Sequence, residues 1–483
     1  MFVNKQQVNE ESKDTISDSL EQPKYKLVVI GSGPGGYTAA IRAAQLGAKV
    51  AIIEKDLVGG ICTNWGCTPS KAMITSAKYA KYIHDSSKYG LEVAGMSVNF
   101  QKVAERRDKV MENSRNEIKH LLDHWKVDLI QGWGEIVDDH HVKVSGTGTL
   151  EQILECENII IATGSEPMIP GFLNKADPSI INSNALITIK DLPSELTIVG
   201  GGIIGLEFSA LFSHFGTKVR IIELMDKCIS MMDPEISDEI EKELKEAGVE
   251  ILTGQKVLDI SNGVIKIEDQ KTKEVKEIPS KTNLIAIGRK AVLNSPELDK
   301  LGIKYSPKGI EVNDQMQTNK SNIYAVGDAT GRSILAHVAI QQGIITAENI
   351  MSPLGSQQRK MNYDVIPAVV YTLPEVASVG TVPSDLTNIQ VVKFPFTSNL
   401  RANIEEHNRG FVKLWINKNS KTLVAVQIIN DNAGEIVQNF AQIVQSRLSI
   451  EDVASTIHAH PTYSEIVRNS LEFALGRAIE HFE

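Results

Sequence analysis

One structural unit, a strand followed by a glycine-rich turn, a helix and a second strand, occurs twice in this chain and limits its fold more than any other feature. The first copy runs from 26 to 54 and the second from 197 to 223. The glycines are Gly31, Gly33 and Gly36 in the first copy and Gly200, Gly202 and Gly205 in the second. In each copy an acidic residue, Glu54 or Glu223, lies 23 positions after the first glycine.

Both copies have the pattern of a dinucleotide-binding βαβ unit. The first glycine permits a tight turn, the second lets the backbone approach a pyrophosphate, and the third lets the helix pack on the strand. The pyrophosphate then rests on the helix N-terminus, and the carboxylate accepts hydrogen bonds from an adenosine ribose. Glycine-rich turns in ordinary α/β units are the alternative, but two copies with the same spacing favour two nucleotide sites.

A pair of cysteines, Cys62 and Cys67, follows the first unit directly. A thiol is a nucleophile only as thiolate, and a helix N-terminus, which Pro69 helps to set, favours negative charge on a nearby sulfur. Two sulfurs so close in sequence can cycle between disulfide and dithiol. A structural zinc site needs four ligands in closely spaced pairs, whereas Cys156 and Cys228 are single and distant. The pattern therefore favours redox chemistry, and no metal is predicted.

The composition limits the class of protein and its partners. A chain of 483 residues predicts two to four domains, and its 42% hydrophobic and 23% charged residues are typical of a soluble globular protein. The net charge of -10 argues against nucleic acid or an anionic membrane as a partner. No apolar run approaches the ~20 residues that span a bilayer. Four cysteines in so long a chain favour a reducing compartment, so a cytoplasmic location is predicted.

The two glycine units, together with alternating strand patterns and then helices from about Ile366, predict an α/β fold with two Rossmann-like dinucleotide-binding domains and a C-terminal α+β domain. The polar, acidic residues 1–24 predict a disordered tail. A strand-like run at 158–164 lies where the chain would leave the first domain, and another at 323–328 lies where it would return. The predicted boundaries are 25–157 for the first part of the first domain, 158–287 for the second domain, 288–360 for the return to the first, and 361–483 for the third.

A histidine near the C-terminus is a candidate base. His460 precedes a proline, and Glu465 follows five positions later, so the carboxylate could fix the imidazole tautomer and raise its basicity. Alone, this pattern is more typical of a histidine in a surface loop. The cysteine pair upstream favours the catalytic interpretation. The other histidines, among them His337, have no predicted role.

Together these motifs resemble the pyridine nucleotide-disulfide oxidoreductases, and among them the enzymes that oxidise dihydrolipoamide. The resemblance extends from Tyr25 to the C-terminus, and its most specific parts are the segments 62–71, 318–328 and 458–462. It implies that the first unit holds FAD, with Glu54 at the adenosine ribose and Asp328 near the ribitol, and that the second unit holds NAD.

The same resemblance implies roles for further residues. Lys71 and Glu207 would form an ion pair beside the flavin. The carboxylate of Glu223 would favour NAD over NADP, because it repels a 2′-phosphate. Other positions that the resemblance places at the cofactors are Thr163, Gly164, Gly288, Arg289, Gly327 and Ala336.

The resemblance also implies a mechanism and partners. His460 from the second subunit, oriented by Glu465, would deprotonate a dithiol substrate, whose thiolate attacks Cys62. Cys67 would pass the electron pair to the flavin, which then reduces NAD. A homodimer is therefore expected, and the partners would be the lipoylated domains of 2-oxoacid dehydrogenase or glycine-cleavage complexes.

Two alternatives remain open from the sequence. A reductase of another disulfide, such as glutathione, would prefer NADPH and need cationic substrate contacts, whereas Glu223 and the 458–460 segment count against it. A redox-sensing flavoprotein without turnover is the other. The chain also departs from the family's usual pattern at Ile61, Thr63, Thr68, Ala291 and Val338, none of which carries a reacting atom. Thr63 and Thr68 lie beside the sulfurs and could shift the redox potential.

Overall fold

The computed structural model describes residues 25–146, 151–353 and 355–481, so the predicted tail at 1–24 lies outside the described residues. The strands are β1 Tyr25–Ile30, β2 Val50–Glu54, β3 Asp128–Gln131, β4 Trp133–Asp138, β5 His141–Ser145, β6 Gln152–Ile161, β7 Ser165–Pro167, β8 Ile180–Asn182, β9 Glu195–Val199, β10 Lys218–Ile222, β11 Glu250–Leu252, β12 Gln255–Ser261, β13 Val264–Asp269, β14 Val275–Pro279, β15 Asn283–Ile285, β16 Arg289–Ala291, β17 Tyr305–Ser306, β18 Gly309–Ile310, β19 Ile323–Ala325, β20 Ala368–Val370, β21 Glu375–Gly380, β22 Ile389–Pro395, β23 Phe411–Asn417 and β24 Leu423–Asn430.

The structure also contains thirteen α-helices among the described residues. They are α1 Pro34–Gln45, α2 Gly60–Trp65, α3 Cys67–His84, α4 Phe100–His124, α5 Ser183–Leu186, α6 Ile203–His214, α7 Pro234–Glu246, α8 Ser295–Leu301, α9 Ala336–Met351, α10 Leu400–Ile404, α11 Ala433–Ser446, α12 Ile450–Ala454 and α13 Glu465–Ala474. Among the described residues, no helix combines the length and the apolar composition needed to cross a membrane.

The first sheet contains the first glycine unit. Its parallel part has the order β3-β2-β1-β6. The long strand β6 also pairs with the antiparallel strand β5, which in turn pairs with β4. Apart from Lys26, the β1 residues are apolar or aromatic and buried, as expected for a parallel sheet covered on both faces. β19 pairs with β6 with Tyr324 opposite Ile160, so the chain returns to this sheet near residue 323, as predicted.

The second sheet repeats the same arrangement. Its order is β11-β10-β9-β15-β8, so β10 and β15 flank β9 as β2 and β6 flank β1. All four pairings in this sheet are parallel. The predicted fold class, with two Rossmann-like sheets, is confirmed.

Close helix packing brings the N-terminus of α9 to the first glycine unit. A Cβ atom at Gly343 of α9 would lie 2.4 Å from the carbonyl oxygen of Gly35 of α1, so only glycine permits this approach. The buried residues Ala39, Ala40 and Ala43 keep the same face of α1 small. The start of α9 at Ala336 is consequently held beside the glycine-rich turn.

The third sheet is antiparallel, with the order β20-β21-β24-β23-β22. Residues of α11, α12 and α13 share a buried apolar cluster with this sheet, which agrees with the predicted α+β domain. A separate apolar cluster joins this sheet to α3 and to the second glycine unit, because it contains Met73 of α3, Phe212 of α6 and Val376 of β21. That cluster holds α3 and α6 side by side.

Candidate active site

A cavity of about 1210 Å³ runs along the carboxyl ends of the first sheet's parallel strands and reaches the cysteine pair. The residues that follow β1, β2, β6 and β19 line it, as expected for ligand sites of open α/β sheets. The predicted site residues on its wall are Gly31, Gly33, Gly36, Glu54, Cys62, Cys67, Lys71, Thr163, Gly164, Glu207, Arg289, Gly327, Asp328 and Ala336.

The glycines of the first unit have the geometry of a pyrophosphate cradle. A Cβ at Gly31 would lie 2.3 Å from the carbonyl oxygen of Ala162, and a Cβ at Gly36 would lie 1.9 Å from that of Gly31. Gly33 differs, since a Cβ there would meet nothing within 4 Å and would project into open space at the start of α1. The chain thus keeps a space clear where the helix N-terminus attracts an anion, and this space fits the pyrophosphate of FAD.

The second unit has the same geometry. A Cβ at Gly200 would lie 2.6 Å from the carbonyl oxygen of Ala286, and a Cβ at Gly205 would lie 2.0 Å from that of Gly200. At Gly202, which precedes the first residue of α6, a Cβ would meet nothing within 4 Å. The second site therefore fits a dinucleotide for the same physical reason as the first.

The two acidic residues occupy equivalent positions. Glu54 accepts hydrogen bonds from the backbone N–H and the hydroxyl of Ser32, at 2.9 and 2.6 Å. Glu223 accepts one from the backbone N–H of Gly201 at 2.5 Å. Each carboxylate also accepts from the N–H two residues beyond it, at 2.9 and 2.7 Å respectively. These bonds fix each carboxylate beside its glycine turn, where the ribose of a bound dinucleotide would lie.

The cysteines lie on two consecutive helices. Cys62 is on α2, Cys67 is the first residue of α3, and both are free thiols on the cavity wall. Pro69 is the third residue of α3, so the predicted helix N-terminus lies at Cys67, while Cys62 lies on a short helix that the sequence did not predict. Gly59, at φ +97°, permits the sharp entry into α2.

The two sulfurs have opposite protonation preferences. A hydrogen bond from the Cys62 thiol lowers the pKa of Cys67 to about 7, with a further contribution from the charge of Lys71 and against the effect of burial. The hydrogen bond to Cys67, together with burial, raises the pKa of Cys62 well above its usual value. The N-terminus of α3 also favours charge on Cys67. In the dithiol, the proton therefore stays on Cys62 and the negative charge on Cys67.

An ion pair lies next to Cys67. Lys71 Nζ is 2.9 Å from Glu207 Oε2 and 3.0 Å from Oε1, which joins α3 to α6. The backbone N–H of Tyr371 donates to Glu207 Oε1 at 3.0 Å, and Lys71 Nζ lies 4.2 Å from the centroid of the Tyr371 ring. The lysine is thus held between a carboxylate and an aromatic face.

A chain of hydrogen bonds on the cavity wall joins Asp328, Ser165 and Arg289. The Ser165 hydroxyl donates to Asp328 Oδ2 at 2.5 Å, while Arg289 donates to the Ser165 hydroxyl and carbonyl oxygens at 2.8 and 2.9 Å. Burial raises the pKa of Asp328, and the hydroxyl and the guanidinium oppose that rise. Asp328 and Arg289 are therefore connected through a residue that the sequence analysis did not name.

Some predicted residues do not line this cavity. They are Gly200, Gly202, Gly205, Glu223, Gly288, His460 and Glu465. The second unit nevertheless borders the cavity, because Ile203, Ile204 and Phe208 of α6 form part of its wall. A nucleotide on the second unit could thus reach the same cavity.

His460 and Glu465 form the predicted pair on the third domain. His460 Nδ1 lies 2.9 Å from Glu465 Oε1, and the backbone N–H of Thr462 donates to Glu465 Oε2 at 2.8 Å. Partial burial raises the pKa of Glu465, but these two hydrogen bonds lower it by more. The pKa of Glu465 therefore lies below its usual value. The His460 side chain is 64% exposed, while that of Glu465 is 10% exposed. The charged carboxylate favours the proton on Nδ1, which leaves Nε2 free to accept another.

Ser165, Tyr371 and His337 are among the residues of the cavity wall that sequence reasoning missed. Ser165 directly follows the predicted Thr163 and Gly164, so its position was a usable signal. Tyr371 had none, since a tyrosine after an apolar run is typical of an ordinary strand. His337 also lines the wall, where its ring N–H donates to the Pro367 carbonyl at 2.8 Å and burial lowers the pKa of the imidazole.

Comparison with known proteins gives full-length matches. The model described as pyridine nucleotide-disulphide oxidoreductase matches residues 25–343, and that family's dimerisation domain matches residues 366–471. Dihydrolipoyl dehydrogenase of Bacillus subtilis (strain 168) is 35% identical over 476 residues, covering 95% of this chain and 99% of that protein. That of Geobacillus stearothermophilus is 36% identical over 466 residues, covering 94% and 97%. The solved HOCl-induced flavoprotein disulfide reductase RclA from Escherichia coli, in its Cu(II) complex, is 26% identical with a TM-score of 0.83, covering 93% and 99%.

Proposed function

The chain belongs to the pyridine nucleotide-disulphide oxidoreductases, and within this family we propose that it oxidises dihydrolipoamide to lipoamide and reduces NAD. It is a flavin-dependent disulfide oxidoreductase with FAD and NAD as cofactors. The observation that carries the proposal is the cysteine pair beside the Lys71–Glu207 ion pair, on a cavity that starts at the first glycine unit. Similarity to two dihydrolipoyl dehydrogenases over almost the whole chain supports the substrate.

We propose that the residues divide between two cofactor sites. Those of the first unit, with Glu54 and Asp328, hold FAD, and those of the second, with Glu223, hold NAD. A bound flavin would supply a two-electron carrier that links dithiol oxidation to the reduction of NAD. Lys71 keeps a positive charge next to Cys67, so the thiolate is stabilised beside this carrier.

The protein's own side chains would carry out the proton transfer and the thiol–disulfide exchange. His460 Nε2 takes a proton from one substrate thiol, and the resulting thiolate attacks Cys62 in the oxidised Cys62–Cys67 disulfide. The Cys62–Cys67 bond breaks, a substrate–Cys62 bond forms, and Cys67 leaves as the thiolate. The second substrate thiol then attacks the substrate sulfur bound to Cys62, its proton passes to the departing Cys62 sulfur, and the cyclic disulfide product is released. The raised pKa of Cys62 favours its taking up the proton.

The proposed site combines two subunits. The match to the dimerisation domain supports a homodimer. His460 and Glu465 do not line the cavity of their own chain, and His460 is largely exposed. We propose that each base serves the cysteines of the other subunit across a two-fold axis, the commonest symmetry of homo-oligomers.

The partners and the location are further parts of the proposal. The substrate would be a dihydrolipoyl group on a domain of a 2-oxoacid dehydrogenase or glycine-cleavage complex. Four cysteines, all free thiols, favour a reducing compartment such as the cytoplasm. The two Rossmann-like sheets and the antiparallel third sheet support a division into three domains, with boundaries near those predicted, 25–157 with 288–360, 158–287 and 361–483. The first boundary shifts to about residue 161, because β6 of the first sheet continues to Ile161.

An anaerobic assay tests the substrate. Purified protein is mixed with dihydrolipoamide and NAD, and separately with NADPH and oxidised glutathione, while absorbance at the NADH and NADPH band is followed. We expect NADH formation in the first mixture alone. Turnover in the second mixture alone would replace the proposal with reduction of another disulfide, the candidate that the likeness to RclA favours. A bound flavin that responds to neither mixture would point to a protein without turnover.

A further inference from the structure

The loop that carries His460 is closed by bonds within itself. Thr462 takes part in three of them: its N–H donates to Glu465, its hydroxyl donates to the Ala459 carbonyl, and that hydroxyl also shares a hydrogen bond with Ser464, each at 2.8 Å. These bonds set the shape of the loop. They do not determine where the loop lies on the third domain.

Two bonds fix the loop to the segment that contains α10. Asn399, which is buried and caps α10, donates through Nδ2 to the Thr462 carbonyl at 3.2 Å. The Tyr463 hydroxyl donates to Glu405 Oε2 at 3.0 Å. Tyr463 stands between Thr462 and Glu465, so the bond from its hydroxyl acts within two residues of the carboxylate that orients the base.

Glu405 is itself held from other directions. Its carboxylate forms an ion pair with Arg401 one helical turn earlier, and its backbone carbonyl accepts a hydrogen bond from the Tyr89 hydroxyl at 2.7 Å. The His407 ring lies 4.0 Å from the same carboxylate. Glu405 is therefore a fixed anchor for Tyr463.

We infer that Tyr463 is a positioning residue for the base His460, acting through its hydrogen bond to Glu405. The inference rests on the proposed role of His460 and goes beyond it. The His460 ring is largely exposed and its one hydrogen bond among the described residues is to Glu465, so its direction depends on the placement of the loop. A displacement of about 1 Å in a catalytic group can cost on the order of 10²-fold in rate.

The test compares Tyr463→Phe with wild-type holoenzyme in two half-reactions followed by flavin absorbance. Dithiothreitol is the dithiol probe, because its attack on the disulfide needs the base whichever disulfide is the natural substrate. Reduction by NADH does not need the base. We expect Tyr463→Phe to slow reduction by dithiothreitol about threefold to tenfold, the range for loss of one hydrogen bond, and to leave reduction by NADH unchanged.

Matched variants separate positioning from general damage. Tyr305→Phe removes another hydroxyl that donates to a carboxylate, Asp299 at 3.1 Å, and is expected to react as wild type. Glu405→Gln keeps an acceptor for Tyr463 and should retain most of the rate, whereas Glu405→Ala should match Tyr463→Phe. The double variant Tyr463→Phe with Glu405→Ala should be no slower than the slower single variant, because both remove the same bond.

Hydrogen exchange gives a readout that does not depend on activity. Tyr463→Phe should increase amide exchange in the segment 459–465 and leave the helix α3 unchanged. A dithiothreitol rate equal to wild type would overturn the inference, even if exchange in the segment increased. Equal slowing of both half-reactions would also overturn it. Neither result would affect the proposed function, which depends on whether wild-type protein oxidises dihydrolipoamide.

Discussion

Lys71 of the cysteine-bearing helix α3 forms an ion pair with Glu207 of α6, in the second glycine unit, with Nζ 2.9 Å from Oε2. The two residues are 136 positions apart, and the pair joins the cysteine-bearing helix to the second dinucleotide unit. Its lysine lowers the pKa of Cys67, while its glutamate acts in the opposite direction. The pair therefore makes the charge on the Cys67 sulfur depend on the position of the second unit relative to α3.

Cys62→Ser should leave Cys67 as a thiolate facing the oxidised flavin. The pKa of Cys67 is about 7, so the thiolate population should grow as pH rises through that value and disappear below it. The serine hydroxyl can still donate a hydrogen bond to the sulfur. The measurement is the long-wavelength absorbance band of a thiolate in contact with oxidised flavin, recorded from pH 5 to 9. Cys67→Ser is the control and should lose turnover without giving the band. A band in Cys67→Ser instead would reverse the roles of the two sulfurs.

Lys71→Met, introduced into the Cys62→Ser variant, should move the midpoint of that band to higher pH by about 1 unit. An opposite charge close to an ionising group favours its charged form by that amount or more, and the substitution removes this charge. Glu207 would then also act on Cys67 without its partner. Lys78→Met, on the same helix two turns further along, is the control and should leave the midpoint in place. A midpoint that does not move would show that the lysine has no electrostatic role.

His460→Gln should reduce turnover by about 10²-fold or more, the usual contribution of a general base, while FAD stays bound. The loss should appear in flavin reduction by a dithiol and not in reduction by NADH, because only the dithiol must be deprotonated. His458→Gln is the control, since that ring contacts only the Thr456 carbonyl among the interactions described for it, at 3.0 Å. Stopped-flow absorbance of the flavin measures both reactions. Equal rates for His460→Gln and wild type would remove the residue from the mechanism.

The periodic features of the sequence predicted the sheets well. The glycine spacing and the acid at a fixed distance depend on contacts within one βαβ unit. The positions of Gly33 at the turn and of Glu54 at the strand end could therefore be predicted before the fold was known. The return of the chain at 323–325 to the first sheet was readable because an apolar run ending on Asp328 is itself a local pattern.

Contacts between distant segments were not readable in the same way. Tyr371 reaches Lys71 and Glu207 only because the third sheet, α3 and α6 share one apolar cluster, and no local pattern marks that packing. The short helix α2, which carries Cys62 and ends at the Gly66 turn before α3, was likewise not predicted from the sequence.

Ser165→Ala should weaken the retention of FAD about threefold to tenfold, as expected for the loss of one hydrogen bond from a buried series of hydrogen bonds. The hydroxyl connects Arg289 to Asp328, and it opposes the rise in the pKa of Asp328 that burial causes. Without it, Asp328 should take up a proton at higher pH than in wild type, so the loss should increase as pH falls. Release of flavin fluorescence on dilution measures retention, and Ser306→Ala, on the strand β17, is the control. Retention equal to wild type at low pH would contradict this role.

Glu223→Arg should narrow the preference for NAD over NADP by about tenfold, a change of about 1.4 kcal/mol. The Glu223 carboxylate is held beside the second glycine turn by the Gly201 N–H, where it would repel a 2′-phosphate, and a guanidinium there would attract one. The ratio of kcat/KM for the two nucleotides measures the preference. Glu277→Arg makes the same change of charge on the exposed strand β14 and controls for the overall field of the protein. If both variants shift the ratio equally, the effect comes from net charge and not from a contact at the ribose. If neither does, Glu223 does not face the ribose and the second unit binds its nucleotide in another orientation.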